Sequence, residues 1–306
     1  MACESPGFPA ALWGCAASVG LLLHPCEHLP GINLTVECGW DCLLFWGRPC
    51  FVTSSSLLGH GLDVNALIRK LEAFAPLPEA DRLLLEQVTQ FSQVVGPKAD
   101  LVREGDAPNA VRLILEGFAC RYKILPDGTR QIMAYLVPGD FCDLHVFILR
   151  AMDHSIATLS RCRVVEILRP QILELMERPA IARAMWWAAL VDEATLREWL
   201  VNIGARPAEQ RIAHLLCELL LRLETVGLTN GDQYELPITQ TELGDTMSLS
   251  LVHVNRVLQR MRKNGLITLA GKSLVILDTD RLKAFSGFNP NYLHLSNRNG
   301  TSPHSL

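Results

Sequence analysis

The sequence lacks an apolar run long enough to cross a membrane comfortably. The apolar stretch 8–23 is shorter than the roughly 20 residues that a transmembrane helix needs. No basic residue precedes it, as a secretory signal peptide would require. We therefore expect neither a membrane anchor nor export, and we expect the protein to act in the cytoplasm.

The sequence also lacks an overall excess of basic residues. Lys and Arg together number 28 against 32 Asp and Glu, so the composition as a whole does not indicate a nucleic-acid partner. The charge is unevenly distributed, however. The segment 238–285 carries seven basic and four acidic residues, a formal charge of +3, which leaves −7 for the remainder. That asymmetry is expected if one module contacts phosphates.

Residues 1–61 contain no lysine, only one arginine, and no helical or strand periodicity. Six of the ten cysteines lie here, and their spacings match no compact ligand pattern such as C-x2-C. They are Cys3, Cys15, Cys26, Cys38, Cys42 and Cys50. A metal or iron–sulfur site is the less favoured interpretation, and we predict no metal and no cofactor. We expect 1–61 to be a disordered extension, or upstream sequence read from a start site placed too early.

From residue 62 the chain becomes regular. Two short amphipathic helices, broken by Pro76 and Pro78, are predicted for VNALIRKLEAFAPL and PEADRLLLEQV. Between Phe91 and Leu168, short β-branched segments alternate with Gly, Pro and Asp turn signals. Even spacing of such strands is typical of a small antiparallel barrel or roll. We therefore predict a β-roll domain at 62–178.

A long helix is predicted at 179–205, because its central part contains neither Gly nor Pro. Apolar residues in it recur at alternating spacings of four and three, which is a heptad seam and predicts a homodimer. The seam comprises Met185, Ala189, Asp192, Leu196, Trp199 and Ile203. Asp192 is polar and could fix the register. The alternative is an ordinary helix packed on its own β-roll. Residues 204–207 then break the helix and form a candidate hinge.

The segment 238–277 predicts a winged helix-turn-helix. Thr239-Gln240-Thr241-Glu242 is a capping box that starts a first helix. After the turn 248–250, a second helix runs to about Lys263 with one apolar face, formed by Val254, Val257, Leu258 and Met261. The hairpin pattern at 266–277 is the expected wing. The alternative is an amphipathic helix pair with a solvated basic face.

The opposite face of the second helix is rich in hydrogen-bond donors. It begins at the helix N-terminus, which is the end that enters the major groove in such motifs. With a serine cap and a wing lysine, the predicted DNA-binding residues are Ser250, Val252, His253, Asn255, Arg256, Gln259, Arg260, Lys263 and Lys272. The sequence therefore predicts double-stranded DNA as a partner.

With these elements in this order, the chain resembles the Crp/Fnr superfamily of bacterial transcription regulators. The resemblance covers about 63–288. It rests on the glycine turns of the roll, on EQRIAHLL at 209–216, and on the segment 238–277. The resemblance implies a homodimer joined through the long helix, an effector felt by the roll, and contact with RNA polymerase.

The fold class implied is α+β. An N-terminal antiparallel β-roll like that of cyclic-nucleotide-binding domains is followed by a long dimerisation helix at 179–205. A winged helix-turn-helix domain at 206–288 comes next, and a flexible tail is expected at 289–306.

The chain departs from the family where an effector would bind. Cyclic-nucleotide members carry a Gly-Glu pair and an Arg-Ser pair, whereas this sequence has Asp143-Leu144 and His154-Ser155. The ribose acceptor and the bidentate phosphate clamp are thus missing, so we do not expect cyclic AMP to bind. Nor do the N-terminal cysteines have the spacing of the iron–sulfur branch, so we expect no cluster. The roll cysteines are predicted to pack as small buried residues; they are Cys120, Cys142 and Cys162.

Individual positions of the second helix imply different roles. Arg256 matches a family position that reads guanine, and its planar fork suits the O6/N7 edge. Val252 stands where many relatives carry Glu, which implies an apolar contact such as a thymine methyl. For His253 and Asn255, a DNA contact and a solvated position are equal alternatives. Ser248 replaces the usual turn glycine and would add strain if its φ were positive.

A competing function is a dimeric ligand sensor or regulatory subunit that does not touch DNA. It would explain the roll but would leave the basic helix face and the wing without a purpose. An enzyme is not expected, because no nucleophile–base or metal constellation follows from the spacing; His145 and His154 are isolated.

Overall fold

An antiparallel β-roll leads through a long helix into a winged helix-turn-helix domain in the computed structural model, which describes residues 65–144 and 150–295. The predicted α+β class and the order of elements are confirmed. The expectation for 1–61 lies outside the described residues, as do His145 and the end of the chain after residue 295.

Two short helices precede the roll, α1 (Ala66–Glu72) and α2 (Glu79–Thr89). The Asn65 side chain caps α1 by accepting a hydrogen bond from the Leu67 amide at 3.0 Å. Prolines in the linker keep the two helices separate. Leu67 and Leu71 are fully buried among apolar residues of the roll, so these helices belong to its core.

The described part of the roll forms two antiparallel sheets. Its strands are β1 (Gln93–Val95), β2 (Asp100–Val102), β3 (Ala110–Glu116), β4 (Ala119–Ile124), β5 (Arg130–Leu136), β6 (Ser155–Thr158) and β7 (Cys162–Leu168). One sheet has the order β1-β7-β3 and the other β2-β6-β4-β5. Gly139 is required after β5, because its φ is +90° and a Cβ there would lie 2.7 Å from the Ala66 carbonyl oxygen.

A short helix, α3 (Arg169–Met176), is followed by the long helix α4 (Pro179–Ala205), which has the predicted bounds. One face of α4 packs against its own chain. Met185 and Trp199 are only 3% and 4% exposed. The Trp199 indole donates a hydrogen bond to the Glu218 carboxylate at 2.9 Å, which satisfies its buried polar group.

Three residues of the predicted dimer seam are therefore occupied within their own chain. Met185 and Trp199 lie in the core of their own chain, and Asp192 binds Arg121 of the roll. The exposed stripe is displaced by one residue, about 100° around the helix. This stripe comprises Trp186, Leu190, Glu193, Arg197 and Leu200. Of the other predicted seam residues, Leu196 is exposed, whereas Ala189 and Ile203 are half-buried.

The winged helix-turn-helix domain begins after the predicted break at Arg206-Pro207. Its helices are α5 (Ala208–Thr225), α6 (Gln240–Met247), α7 (Leu251–Lys263) and α8 (Thr279–Ser286). Its strands are β8 (Thr229–Asn230), β9 (Gln233–Glu235), β10 (Ile267–Ala270) and β11 (Ser273–Ile276), in the order β10-β11-β9-β8. The wing hairpin β10–β11 confirms the prediction. Strands β8 and β9 were not predicted, because two or three residues are too few for an alternating pattern.

The start of the predicted flexible tail is ordered instead, which corrects the boundary at residue 288. A 3₁₀ turn, Pro290–Leu293, follows α8. Leu293 is 2% exposed in the core, and the Tyr292 hydroxyl donates a hydrogen bond to the Glu218 carboxylate at 2.8 Å. These contacts hold 289–295 to the body of the protein because they bury an apolar side chain and satisfy a buried carboxylate.

The roll and the winged helix-turn-helix domain share one hydrophobic core. Ile132 and Tyr135 of β5 belong to the same cluster as Leu216 of α5 and Val257 of α7. The Tyr135 ring meets Trp199 of α4 edge-on, with ring centroids 5.7 Å apart. The long helix therefore contacts the core at the point where the two domains meet. No helix within 65–144 and 150–295 is long and apolar enough to cross a membrane.

Candidate nucleic-acid interface

The start of the recognition helix α7 is fixed by local backbone chemistry. The Ser250 hydroxyl accepts a hydrogen bond from the His253 amide at 3.3 Å, which confirms Ser250 as the cap. Two residues earlier, Ser248 has a φ of +54°. This left-handed backbone is costly for a residue other than glycine, so the replacement of the usual turn glycine by Ser248 does add strain. A Cβ on Gly244 would lie 2.6 Å from the Leu249 carbonyl oxygen, so the tight turn requires glycine there.

The first helix of the motif, α6, is held by the predicted capping box. The Thr239 hydroxyl accepts from the Glu242 amide at 3.2 Å, and the Glu242 carboxylate accepts from the Thr239 amide at 2.7 Å. At the other end, Arg211 donates to the Met247 carbonyl at 3.1 Å. Because both ends are satisfied, α6 is a firm support for α7.

The two faces of α7 have opposite exposure. Val254, Val257, Leu258 and Met261 are at most 2% exposed, which confirms the predicted apolar face. Val252 on the other face is 68% exposed. The exposed face carries Val252, Asn255, Arg256, Gln259, Arg260 and Lys263, with His253 half-buried beside it. The structure thus brings the predicted DNA-binding residues of the helix onto one side.

The basic side chains of this surface differ in whether a carboxylate lies beside them. Arg260 forms an ion pair with Glu209 of α5 and so ties the two helices together. In the wing, Lys272 lies 4.0 Å from Glu235, and both side chains are exposed. Neither Arg256 nor Lys263 has an ion-pair partner in the part of the chain that the structure describes. These two side chains therefore offer their full charge to an anionic ligand.

The roll contributes two residues that the sequence analysis missed. Arg130 of β5 donates to the Asp245 carboxylate at 2.8 Å, and the Gln131 amide donates to the Thr246 carbonyl at 3.1 Å. In the sequence Arg130 only ends a PDGTR turn, and Gln131 follows it. A contact between positions 115 residues apart leaves no local pattern, so no sequence signal could have found it.

A cavity of about 280 Å³ lies in the roll beside the turn 138–141. Its lining includes Arg112, Cys142 and Asp143. Asp143 is 6% exposed, so a carboxylate does form part of the wall, as the sequence implied. A second carboxylate, Glu166, lies 3.6 Å from Arg112 and offsets its positive charge.

The other predicted pocket residues do not line this cavity. Leu144 lies instead between the roll and α4. The Ser155 hydroxyl accepts a hydrogen bond from the Glu104 amide at 3.0 Å, and His154 Nδ1 lies 2.7 Å from the Asp153 carboxylate. Of the four residues at the cyclic-nucleotide ligand positions, only Asp143 therefore lines this cavity.

The cysteines of the described residues are buried, as predicted for the roll. Burial raises the pKa of the Cys120, Cys142 and Cys217 thiols to about 12 and also raises that of Cys162. The thiolate is the form that binds metals, so these thiols pack as small apolar groups at neutral pH. Across 65–144 and 150–295, no cluster of His, Cys, Asp and Glu is suited to hold a metal ion.

Two family models match the chain in the order seen in the structure. A cyclic nucleotide-binding domain matches residues 93–179, and a Crp-like helix-turn-helix domain matches residues 210–285. Together they span more than half of the chain. The first match corresponds to the roll and the second to the domain that contains α7.

Curated relatives agree with these matches. The transcriptional activatory protein AadR of Rhodopseudomonas palustris is 28% identical over 232 residues, which cover 74% of this chain and 94% of the relative. The nitrogen fixation regulation protein FixK of Bradyrhizobium diazoefficiens is 27% identical over 187 residues, covering 60% of this chain and 76% of the relative.

Solved structures show the same fold. FixK2 from Bradyrhizobium japonicum superposes with a TM-score of 0.57 at 22% identity, covering 63% of this chain and 96% of that chain. A CooA variant from Carboxydothermus hydrogenoformans has a TM-score of 0.52 at 21% identity, covering 65% of this chain and 90% of that chain. With the two domain matches and the exposed recognition helix, the chain belongs to the Crp/Fnr superfamily of DNA-binding transcription regulators.

Proposed function

We propose that this regulator acts as a homodimer that binds a two-fold operator, with α7 of each protomer in the major groove. The observation that carries the proposal is the exposed donor face of α7, which lies opposite a fully buried apolar face. Arg256 lies on the exposed face with no ion-pair partner among the described residues. Its guanidinium is therefore available for a bidentate contact with guanine.

The exposed stripe of α4 supports the homodimer. Trp186, Leu190 and Leu200 on it are 62%, 54% and 74% exposed. Large apolar side chains aligned on one helix face are typical of a protein–protein interface. Glu193 and Arg197 form an ion pair of 2.6 Å within the stripe. A second copy packed along this stripe would cover the apolar residues and place two recognition helices on one side.

The roll, on this proposal, does not bind cyclic AMP in the family's usual manner. His154 stands where the family's phosphate-binding arginine would be, and the cavity wall carries the Asp143 carboxylate, which disfavours a phosphate. Calorimetry with cyclic AMP or cyclic GMP should show no binding at micromolar concentration. A clear micromolar isotherm would mean that another group replaces the missing arginine.

We also propose that the protein regulates transcription in the cytoplasm through contact with RNA polymerase. AadR, which aligns over most of its length, is named as a transcriptional activatory protein. The two domains of this chain follow the same order, and that supports a shared mode of action.

The effect of substituting Arg256 on duplex affinity tests the proposed function. Sites selected from a random duplex pool supply the cognate duplex, and affinity is then measured on cognate and random duplexes across a salt series. Arg256→Ala should weaken cognate binding by about 1–3 kcal/mol and relax the preference at one base pair per half-site. Lys263→Ala should weaken all duplexes alike and flatten the salt slope by about one.

Arg281→Ala is the matched control, because Arg281 is exposed on α8 and does not belong to the recognition helix. It should change neither the base preference nor the rank of duplexes. If Arg256→Ala lowers both affinities by the same factor, Arg256 is a phosphate contact and base readout passes to His253, Asn255 or Gln259. Absence of binding to any duplex at low salt would refute the proposed function.

A further inference from the structure

The turn of the helix-turn-helix is contacted directly by strand β5 of the roll. The Gln131 side-chain amide donates a hydrogen bond to the Thr246 carbonyl at 3.1 Å. Its oxygen accepts one from the Ser248 hydroxyl at 3.2 Å. One amide group of the sensor domain thus contacts both the last turn of α6 and the residue that ends it. Its second N–H donates to the Ile132 carbonyl of its own strand at 3.0 Å.

Both groups that Gln131 binds lie where the helix-turn-helix is least stabilised by its own backbone. The Thr246 carbonyl is in the last turn of α6, where carbonyls have no partner within the helix. Ser248 holds a left-handed backbone at φ +54°, a conformation that non-glycine residues adopt at a cost. Ser248 is also only two residues before the cap of α7. A shift of this turn therefore changes the direction in which the recognition helix leaves it.

The neighbouring contacts bring the same two elements together. Arg130 forms an ion pair with Asp245 at 2.7 Å. The Tyr135 hydroxyl shares a hydrogen bond with the Thr246 hydroxyl, and the Tyr135 ring is fully buried. Three positions of β5 therefore hold the end of α6. Among these, the Gln131 amide is the group that reaches the turn itself.

We propose that Gln131 is a positioning residue for DNA binding: from the roll, it holds the helix-turn-helix turn at Thr246 and Ser248 and so sets the angle of α7. The proposal rests on the proposed function, since it needs a recognition helix that binds the major groove.

The charge and burial of Gln131 indicate that it positions the turn and does not contact DNA directly. Its side chain is neutral, half-buried and occupied at both polar ends. Removing it leaves every cation of the α7 face in place, so the number of phosphates neutralised should not change. The affinity for the cognate duplex should fall, while the salt slope and the order of preferred bases stay as they are.

The test measures the operator affinity of the full chain with Gln131→Ala, Ser248→Ala and the double variant. Gln131→Ala should weaken cognate binding by about threefold to tenfold. The double variant should be no weaker than Gln131→Ala, because both changes remove the same hydrogen bond. Gln131→Glu keeps the size but cannot donate to the Thr246 carbonyl, and it should weaken binding as Ala does. Gln87→Ala, an exposed glutamine of α2, is the matched control and should bind like the unsubstituted protein.

Circular dichroism should show all variants folded at the assay temperature, so that a lower affinity is not a loss of folded protein. Additive losses in the double variant, or unchanged affinity in Gln131→Ala, would overturn the proposal. A raised affinity would identify the contact as an inhibitory lock, and a changed salt slope would make Gln131 a DNA contact; either result also overturns it. Arg256→Ala in the same assay tells the two proposals apart, since it tests base reading without touching the turn.

Discussion

The pKa values of two buried carboxylates at the domain junction shift in opposite directions because their partners differ. Burial acts to raise the pKa of Asp140, but the charges of Lys70 and Arg222 outweigh it and hold that pKa below its usual range. For Glu218, burial dominates and raises the pKa even though Arg222 and a hydrogen bond from Trp199 oppose it. Arg222 is shared by both carboxylates. Removing its charge would leave two buried acids poorly compensated.

A single buried histidine should make stability depend on pH. Burial, and next the Arg206 charge, lower the pKa of His214 to about 4, against the opposing effect of Glu198. Because the unfolded chain takes up the proton near pH 6.5, the free energy of unfolding should fall as pH drops from 6.5 to 4, with a slope approaching about 1.4 kcal/mol per pH unit. His214→Phe should lessen this slope in urea titrations. An unaltered slope in that variant would show that other groups cause the pH dependence.

Among the elements, the long helix α4 has two faces that differ in exposure. Its inner face packs in its own chain through Trp199, and its outer face exposes the stripe around Leu190 and Leu200. The alternative of a helix packed on its own chain therefore holds for the inner face, and the dimer interface stays a proposal for the outer face. An almost entirely apolar helix permits both, and only the position of the roll selects which face is turned inward.

A charge in the exposed stripe should separate the protomers. Leu200→Asp would bury an unpaired carboxylate in the proposed interface, so sedimentation should show a monomer and operator binding should weaken. Leu173→Asp is the matched control, because Leu173 is 51% exposed on α3, outside the stripe. If Leu200→Asp remains dimeric while Leu173→Asp dissociates, the interface lies on the α3 side.

For the whole molecule, the segment 289–295 closes the junction between the long helix and the DNA-binding domain. The His294 ring meets Trp187 of α4 edge-on, with centroids 6.1 Å apart, and Tyr292 binds Glu218 of α5. Leu293 fills the core between them. The segment therefore joins elements that are far apart in the sequence, although it has almost no regular structure.

Removal of this segment should destabilise the entire protein. A chain ending at Phe288 loses the buried Leu293 and leaves Glu218 with one partner fewer, so its free energy of unfolding should fall by about 2–5 kcal/mol, as for large-to-small core substitutions. A chain ending at Leu295 keeps these contacts and is the matched control. Urea denaturation compares the two. Equal midpoints would show that the segment does not contribute to stability.

The local patterns of the sequence were sufficient for the elements themselves. The capping box at Thr239, the Ser250 cap, the apolar face of α7 and the length of α4 follow from periodicity and from hydrogen-bonding groups within four residues of each other. The same is true of the recognition-helix face, because exposure on a helix is set by its buried side. The motif order was sufficient for the family, and the domain matches confirm it.

Tertiary structure alone decided which face of α4 is turned inward and which distant residues each element meets. Trp199 of the predicted seam is turned inward because its indole finds its acceptor in Glu218 of the same chain. The supposed tail became part of the core because Leu293 fits there. The contact of Gln131 with the helix-turn-helix turn joins residues 115 or more positions apart. Such contacts depend on where the folded backbone places groups that are distant in the sequence. They therefore leave no pattern among neighbouring residues.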